Sequence, residues 1–375
     1  MANKYILILI MSFTLLGFGC SSAEEDQTSS FTELPLYELE RVEVLSDQGS
    51  LILGRPVFTD IDSDGNRLVM DLSSFEIHVY DVDGTHRNSF GREGNGPGEF
   101  QQPANITFGE NDSLYVSDFT RRALIVYSKE ADYTWRHAYD LSFPQAEEAY
   151  PFRALMPSEA GYPIIYSVYD QDDEFPNGYL TVKVVDKNGN FIESKEKKFQ
   201  QGNYIEINTG GNQMRLGIGE VASTEIASLT DGSYLQAWTA TAALHHYSTG
   251  GEILKSIELD GYPVQRVTNE DLNALNESFS QFGDLRSELR TKIGETFPAF
   301  SGLRVTNDGS IWLARIVPGS NSQSWYHITS EGEPLGQLQL EDGFRLQNYD
   351  GDSLYLSGEL EDGSPAILRY SIAEG

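Results

Sequence analysis

Asp64-Gly65-Asn66-Arg67-Leu68-Val69-Met70, followed after a second turn by Ile77-His78-Val79-Tyr80, reads as a polar turn, a short apolar strand and a strand closing on an aromatic residue. The phrase returns as Asn111-Asp112-Ser113-Leu114-Tyr115-Val116 with Leu124-Ile125-Val126-Tyr127. It returns again as Asp231-Gly232-Ser233-Tyr234-Leu235, as Asp308-Gly309-Ser310-Ile311-Trp312-Leu313, and as Asp352-Ser353-Leu354-Tyr355-Leu356 with Ile367-Leu368-Arg369-Tyr370. A degenerate copy, Gly161-Tyr162-Pro163-Ile164-Ile165-Tyr166 with Leu180 to Val185, makes six. The first apolar residues stand at 68, 114, 164, 234, 311 and 354, in steps of 46, 50, 70, 77 and 43. Three steps match the roughly 40–50 residues of a four-stranded propeller blade, and the two long ones call for insertions. The expected fold is all-β, a six-bladed β-propeller with a helical insertion between the fourth and fifth blades.

The crossing from the first copy to the second is Phe90-Gly91-Arg92-Glu93-Gly94-Asn95-Gly96-Pro97-Gly98-Glu99-Phe100, then Pro103-Ala104-Asn105-Ile106. Four glycines and a proline permit a tight passage from the outer strand of one blade to the inner strand of the next. Together with Leu114-Tyr115-Val116-Ser117-Asp118, this stretch resembles NHL-type six-bladed β-propellers, above all the lipoprotein-anchored ones of Bacteroidota and related phyla. The resemblance is specific over residues 55 to 130, and it implies the fold and a cell-envelope setting.

One insertion is legible as helix. Thr268 with Asp271 forms a capping pair, and Leu272, Leu275, Phe279, Phe282, Leu285, Leu289 and Ile293 follow at steps of three or four, with a break expected at Gly283. Its apolar stripe is expected to pack on the propeller face. The other insertion, Gln201 to Glu220, is rich in Gly and Asn and reads as a long loop. Tyr37 to Leu45 alternates apolar and charged residues outside the six copies, so it is a candidate to close the ring by pairing into the last blade.

The N-terminus carries an address. Lys4 precedes an apolar run from Tyr5 to Leu16, too short for the ~20 residues of a membrane span, then Gly17-Phe18-Gly19-Cys20. A small residue before a lone cysteine resembles the lipobox of bacterial lipoproteins, with Gly17 standing where Leu is usual. That likeness implies a signal peptide at 1–19 and lipidation of Cys20. A flexible tether at 20–35 would then lead to a propeller domain at 36–375. The run Glu24-Glu25-Asp26 resembles a surface-export tag. An outer-membrane anchor facing either the periplasm or the cell surface follows as the expected location.

Composition narrows the partners. The chain has 375 residues, 57 acidic against 26 basic, for a charge of −31. Such an excess argues against nucleic acid, which needs concentrated Lys and Arg. The single cysteine excludes an internal disulfide framework.

Two candidate sites emerge. Asp60, Asp62, Asp64 and Asp71, the last twelfth in the count, match the oxygen spacing of a calcium loop, although the flanks are strands and an Asp-rich turn reads as well. Propellers also bind ligands at one end of the central channel. Aligning the copies without gaps sets Asn105 opposite Thr59, Glu225, Gly302 and Arg345, with Arg153 nearby. Only Asn105 and Glu225 suit a cation there, and two arginines suit an anionic or carbohydrate-like ligand, or else simply pair with Glu or Asp at the rim. No nucleophile elbow is present, and no catalytic residue is assigned. His245 and His246 are adjacent in a strand and face opposite ways, so they cannot share a metal. Tyr133, Trp135, Trp238, Trp312 and Trp325 fall in or beside strands, where packing between blades is the commoner use. The sequence therefore supports an envelope lipoprotein that binds a protein, peptide or glycan, with a calcium-dependent lactonase-like hydrolase or lyase as the alternative.

Overall fold

In the computed structural model the described residues are 30–374, apart from 46–50, 52, 110–111, 133, 147–148, 170–173, 176, 194–195, 210–211, 307 and 319–321. The expected signal segment, Cys20 and Tyr133 lie outside them.

Six four-stranded antiparallel sheets follow one another along the chain. From the inner strand outward, blade one is Pro56–Ile61, Arg67–Asp71, Glu76–Tyr80 and His86–Phe90, and blade two is Pro103–Phe108, Leu114–Asp118, Ala123–Lys129 and Trp135–Ser142. Blade three is Ala149–Ala154, Tyr162–Val168, Tyr179–Val185 and Lys198–Gln200, and blade four is Thr224–Ser228, Tyr234–Trp238, Ala243–Tyr247 and Ile253–Glu258. Blade five is Gly302–Val305, Ile311–Arg315, Ser324–Ile328 and Pro334–Gln339. Blade six takes Arg345–Tyr349, Ser353–Glu359 and Pro365–Glu374 from the end of the chain, and its outermost strand, Tyr37–Leu45, from the beginning. This is the six-bladed propeller the repeats predict.

The apolar strands pack blade against blade. Leu68, Met70 and Val79 of blade one meet Ile106, Val116 and Ile125 of blade two, and Leu235 and Leu244 of blade four meet Leu313 and Tyr326 of blade five. Phe100 at the end of the glycine-rich crossing is fully buried, and Gly91 is positioned so that a Cβ would sit 2.4 Å from its ring. Gly91 also has φ of +84°, so both space and backbone require glycine there. Trp135, Trp312 and Trp325 are buried between strands as expected of packing aromatics.

The ring closes as Tyr37–Leu45 pairs antiparallel with Pro365–Glu374, from Tyr37 opposite Glu374 to Leu45 opposite Ile367. Glu43 then binds Arg369 of the same blade (2.9 Å) and Arg67 of blade one (2.8 Å). The closure reaches further back than the expected tether boundary. Phe31 and Leu34 are buried against blades four and five, and Gln337 donates from its backbone N–H to Pro35 O (2.9 Å) and from its side chain to Leu34 O (3.0 Å).

The helical insertion forms as α1, Asn269–Ser278, and α2, Arg286–Ile293. Thr268 caps α1 by accepting from Asp271 N–H while the Asp271 carboxylate accepts from Thr268 N–H, and the chain breaks at Gly283. Two expectations change here. The Gly/Asn-rich insertion is not all loop: Ile205–Thr209 and Asn212–Leu216 form a hairpin. The helices do not lie directly on a blade face, because Leu272, Leu275 and Leu289 pack on Ile205 and Ile207 of that hairpin, with Val221, Val267, Phe297 and Ile316. Each insertion thus supplies the apolar surface the other needs.

Candidate functional site: the channel and the cleft beside it

The four aspartates of the calcium-like spacing take separate tasks. Asp71 closes blade one by accepting from the backbone N–H groups of Gly54, Arg55 and Ser73. Burial would raise its pKa, but those hydrogen bonds outweigh it and hold the carboxyl below its usual range. Asp60 accepts from Ile61 N–H, Phe108 N–H and the Asn348 amide. Asp62 accepts from Asp64 N–H, Asn66 N–H and the Asn66 amide. The Lys129 ammonium takes up the remaining oxygens, at 2.8 Å from Asp62, 2.5 Å from Asp64 and 3.1 Å from Asp112. The spacing is therefore a turn clamped by lysine rather than a cation loop. Among the described residues no group of three or more His, Cys, Asp or Glu side chains could hold a metal ion.

The six inner strands line a channel of about 250 Å³. One residue per blade stands at a common level of its wall, called the waist below: Thr59, Thr107, Arg153, Ala227, Arg304 and Asn348. Each pairs with the same position of its second strand, namely Val69, Tyr115, Ile165, Leu235, Trp312 and Tyr355. The sequence alignment found only Thr59 and Arg153 at this level. Asn105, Glu225, Gly302 and Arg345 pair two places further on, with Ser117, Ala237, Ala314 and Ser357. Asn105 still reaches the channel wall, Glu225 faces a cleft between blades three and four, and Arg345 lies at a separate outer depression, where it donates to Phe344 O.

The mismatch has a structural cause. In blade one Asp60 lies opposite the first apolar residue, Leu68, whereas in blade two Phe108 lies opposite Leu114, because the hairpins differ in length. In blade six the bulge at Leu346/Asn348 shifts the count again, moving Arg345 one place further along its strand. Counting back a fixed distance therefore mixes two levels and misses Arg304.

Arg153 and Arg304 give the waist its chemistry. Arg304 donates to Gln347 O (2.6 Å), and burial together with the nearby Arg153 guanidinium lowers its pKa to about 10. Arg153 donates to Ile226 O, and its Nε is buried without a partner. Burial lowers its pKa too, with Glu225 acting the other way. Thr59 Oγ1 is likewise buried and unpartnered. Glu225 accepts from Ser223 Oγ at 3.3 Å, and burial raises its pKa against the pull of Arg153. Two of the oxygen-bearing side chains at the channel are already committed: Asp60 to the three donors above, and Asn348 Oδ1 to Tyr349 N–H. The donor set therefore offers charge-assisted hydrogen bonds to an anion and no convergent oxygen cage.

Beside the channel, a cleft of about 350 Å³ is bordered by Phe152, Arg153, Gln201, Thr224 and Glu225. It shares Phe152, Ser167 and Tyr169 with a neighbouring hollow of about 430 Å³ that is walled by Phe119, Tyr150, Phe152 and Tyr169. Those four rings are about half exposed. No sequence reading singled them out. The signal was available as aromatics at alternate positions of one inner strand, Tyr150 and Phe152, and directly after the second strands of blades two and three, Phe119 and Tyr169.

Comparison with known proteins agrees with this architecture. The DUF5128 family model, described as a 6-bladed beta-propeller, matches residues 61–214. No curated protein sequence matches the chain. Among solved structures, an exported-protein candidate from Bacteroides fragilis NCTC 9343 is similar at 12% identity and a TM-score of 0.53, over 92% of this chain and 97% of that one. A streptogramin B lyase has 12% identity and a TM-score of 0.44, over 90% and 98%. Regucalcin from Agrobacterium tumefaciens str. C58, a calcium-binding protein, has 11% identity and a TM-score of 0.42, over 92% and 97%. At these identities the likeness concerns the fold.

Proposed function

We propose that the protein is a cell-envelope lipoprotein, anchored through Cys20, whose propeller binds an anionic group carried by a protein, peptide or glycan. The observation that carries this reading is the pair Arg153 and Arg304 at the channel waist, two guanidiniums in a chain of charge −31. Burying two cations side by side is unfavourable unless something compensates, and the partnerless Arg153 Nε shows that the fold itself leaves part of that demand unmet. A carboxylate entering the channel would supply the acceptor oxygens. The lactonase-like alternative needs several free oxygens converging on a cation, and the committed state of Asp60 and Asn348 gives it no support.

The test uses arrays of peptides with free C-terminal carboxylates and of uronate-bearing oligosaccharides, each beside its amidated or neutral counterpart. Wild type is expected to retain carboxylate-bearing members, and Arg304→Met to lose them at least tenfold. Retention indifferent to both the carboxylate and Arg304 refutes the channel reading. The anchor is tested separately: Cys20→Ser is expected to leave the protein in the soluble fraction after cell lysis, and continued membrane attachment refutes lipidation.

A further inference from the structure

The four-ring hollow beside the channel has the wrong shape for packing and the right one for stacking. Phe119 and Tyr169 each stand directly after the second strand of their blade, and Tyr150 and Phe152 stand two apart on the inner strand of blade three. Their relative exposures are 46%, 56%, 54% and 51%, so each ring keeps an open face although large aromatics normally bury most of theirs. Tyr150 and Tyr169 lie with centroids 5.9 Å apart and rings tilted by 55°, forming two walls rather than one flat stack.

The floor next to these rings is polar. Phe152, Ser167 and Tyr169 border both the hollow and the cleft that contains Arg153, Gln201, Thr224 and Glu225. The Gln201 amide donates to Ser167 Oγ at 3.2 Å, while its Oε1 is buried without a donor. Arg153 Nε lacks an acceptor, and the Glu225 carboxyl borders the same cleft, accepting from Ser223 Oγ at 3.3 Å. A ligand matching this surface must offer flat apolar patches and, within the same few ångströms, both hydroxyl donors and oxygen acceptors.

We infer that the hollow and cleft form a saccharide-binding site, with Tyr150, Phe152 and Tyr169 stacking on sugar-ring C–H faces and Gln201, Glu225 and Arg153 hydrogen-bonding the ring hydroxyls. A pyranose presents that combination in each residue: a C–H face for the aromatic wall and an equatorial rim of hydroxyls for the polar floor. The two adjoining volumes, about 430 and 350 Å³, each fall in the range of small-molecule sites, and side by side they offer room for more than one sugar ring. Arg153 borders both the cleft and the channel. It directs an acidic sugar of the same chain toward the waist. This inference rests on the binding-module reading, and it narrows the ligand class to glycan.

The deciding experiment is a glycan array of neutral and uronate-containing oligosaccharides beside a random peptide array, probed with wild type, the Tyr150→Ala/Tyr169→Ala double variant and Arg304→Met. Wild type is expected to retain oligosaccharides, and the double variant to bind neutral and acidic members at least tenfold more weakly. Arg304→Met is expected to weaken acidic members only. Dependence on the tyrosines without dependence on Arg304 upholds the saccharide site and removes the channel reading. Retention of peptides alone, of nothing on either array, or of glycans equally by wild type and the double variant overturns the saccharide site. Both tyrosines are more than half exposed, so the double variant is expected to melt within a few degrees of wild type. If it does not, the single variant Tyr169→Ala carries the same test at a ring just outside the blade-three strands.

Discussion

His78 and His327 show how much chemistry in this protein serves the core. Each is buried, and burial lowers each pKa from 6.5 to about 4. His78 Nδ1 pairs with Ser89 Oγ at 2.7 Å, while His327 stacks on Trp312 at 4.3 Å and its Nδ1 meets Tyr37 Oη at 2.8 Å. The unfolded imidazoles take up protons below pH 6.5 and the folded ones only below about pH 4. Stability therefore falls as the pH drops through that window, by at most about 1.4 kcal/mol per pH unit for each histidine. A series of thermal melts from pH 7 to 4 should show this loss, and His78→Asn, which can keep a partner for Ser89, should give a shallower slope. An unchanged slope would mean that His78 takes up its proton in the folded protein as readily as in the unfolded chain. The neighbouring residues at the waist teach a different lesson. Arg153 was visible in the sequence as a cation near the channel, but Arg304 was not, since a residue's level in the ring depends on hairpin lengths that composition does not encode.

Single elements were more legible, because their signals are local. The capping pair Thr268 and Asp271 and the three-and-four spacing after it specify α1 without reference to anything distant. Thr268→Ala should cost about 1 kcal/mol, measured by denaturant unfolding, the usual loss when a helix N-cap is removed. What that helix packs on was not legible, because the stripe says only that a partner exists; the hairpin at 205–216 became the partner by lying across the same face. The Asp60 to Asp71 stretch was ambiguous for a related reason. Its spacing is shared by cation loops and by turns, and Lys129, more than fifty residues away in sequence, decides between them. The Asp62 side chain is fully buried, so Lys129→Met strands its charge. A loss of about 3 kcal/mol is expected in chemical denaturation, and a loss under about 0.5 kcal/mol would show that water replaces the ammonium at little cost.

For the whole molecule, repetition made the architecture readable. Six copies of one phrase, each too small to bury its own faces, can be stable only by stacking on two neighbours, and that condition needs a closed ring. The charge follows the same plan. Aspartates at the turns accept from nearby backbone N–H groups, as Asp186 does from Asn188 and Asn190, and Asp231 from Ser233. Much of the acidity is thus turn chemistry repeated blade after blade. The remaining repulsion among surface carboxylates should be screened by salt, so the melting temperature is expected to rise between 10 and 300 mM sodium chloride; a fall would show that ion pairs such as Lys129 with its aspartates outweigh the general repulsion.

The early segment that completes blade six also decides how the molecule meets mechanical load. If Cys20 is lipidated as proposed, a pull from that anchor would arrive at residue 30 and reach Phe31 and Leu34, docked on blades four and five, before it reaches Tyr37. Those two side chains and the Gln337 hydrogen bonds act as a strain relief, as a cable clamp does ahead of a soldered joint. The strand that holds the ring shut is loaded only after the clamp has slipped.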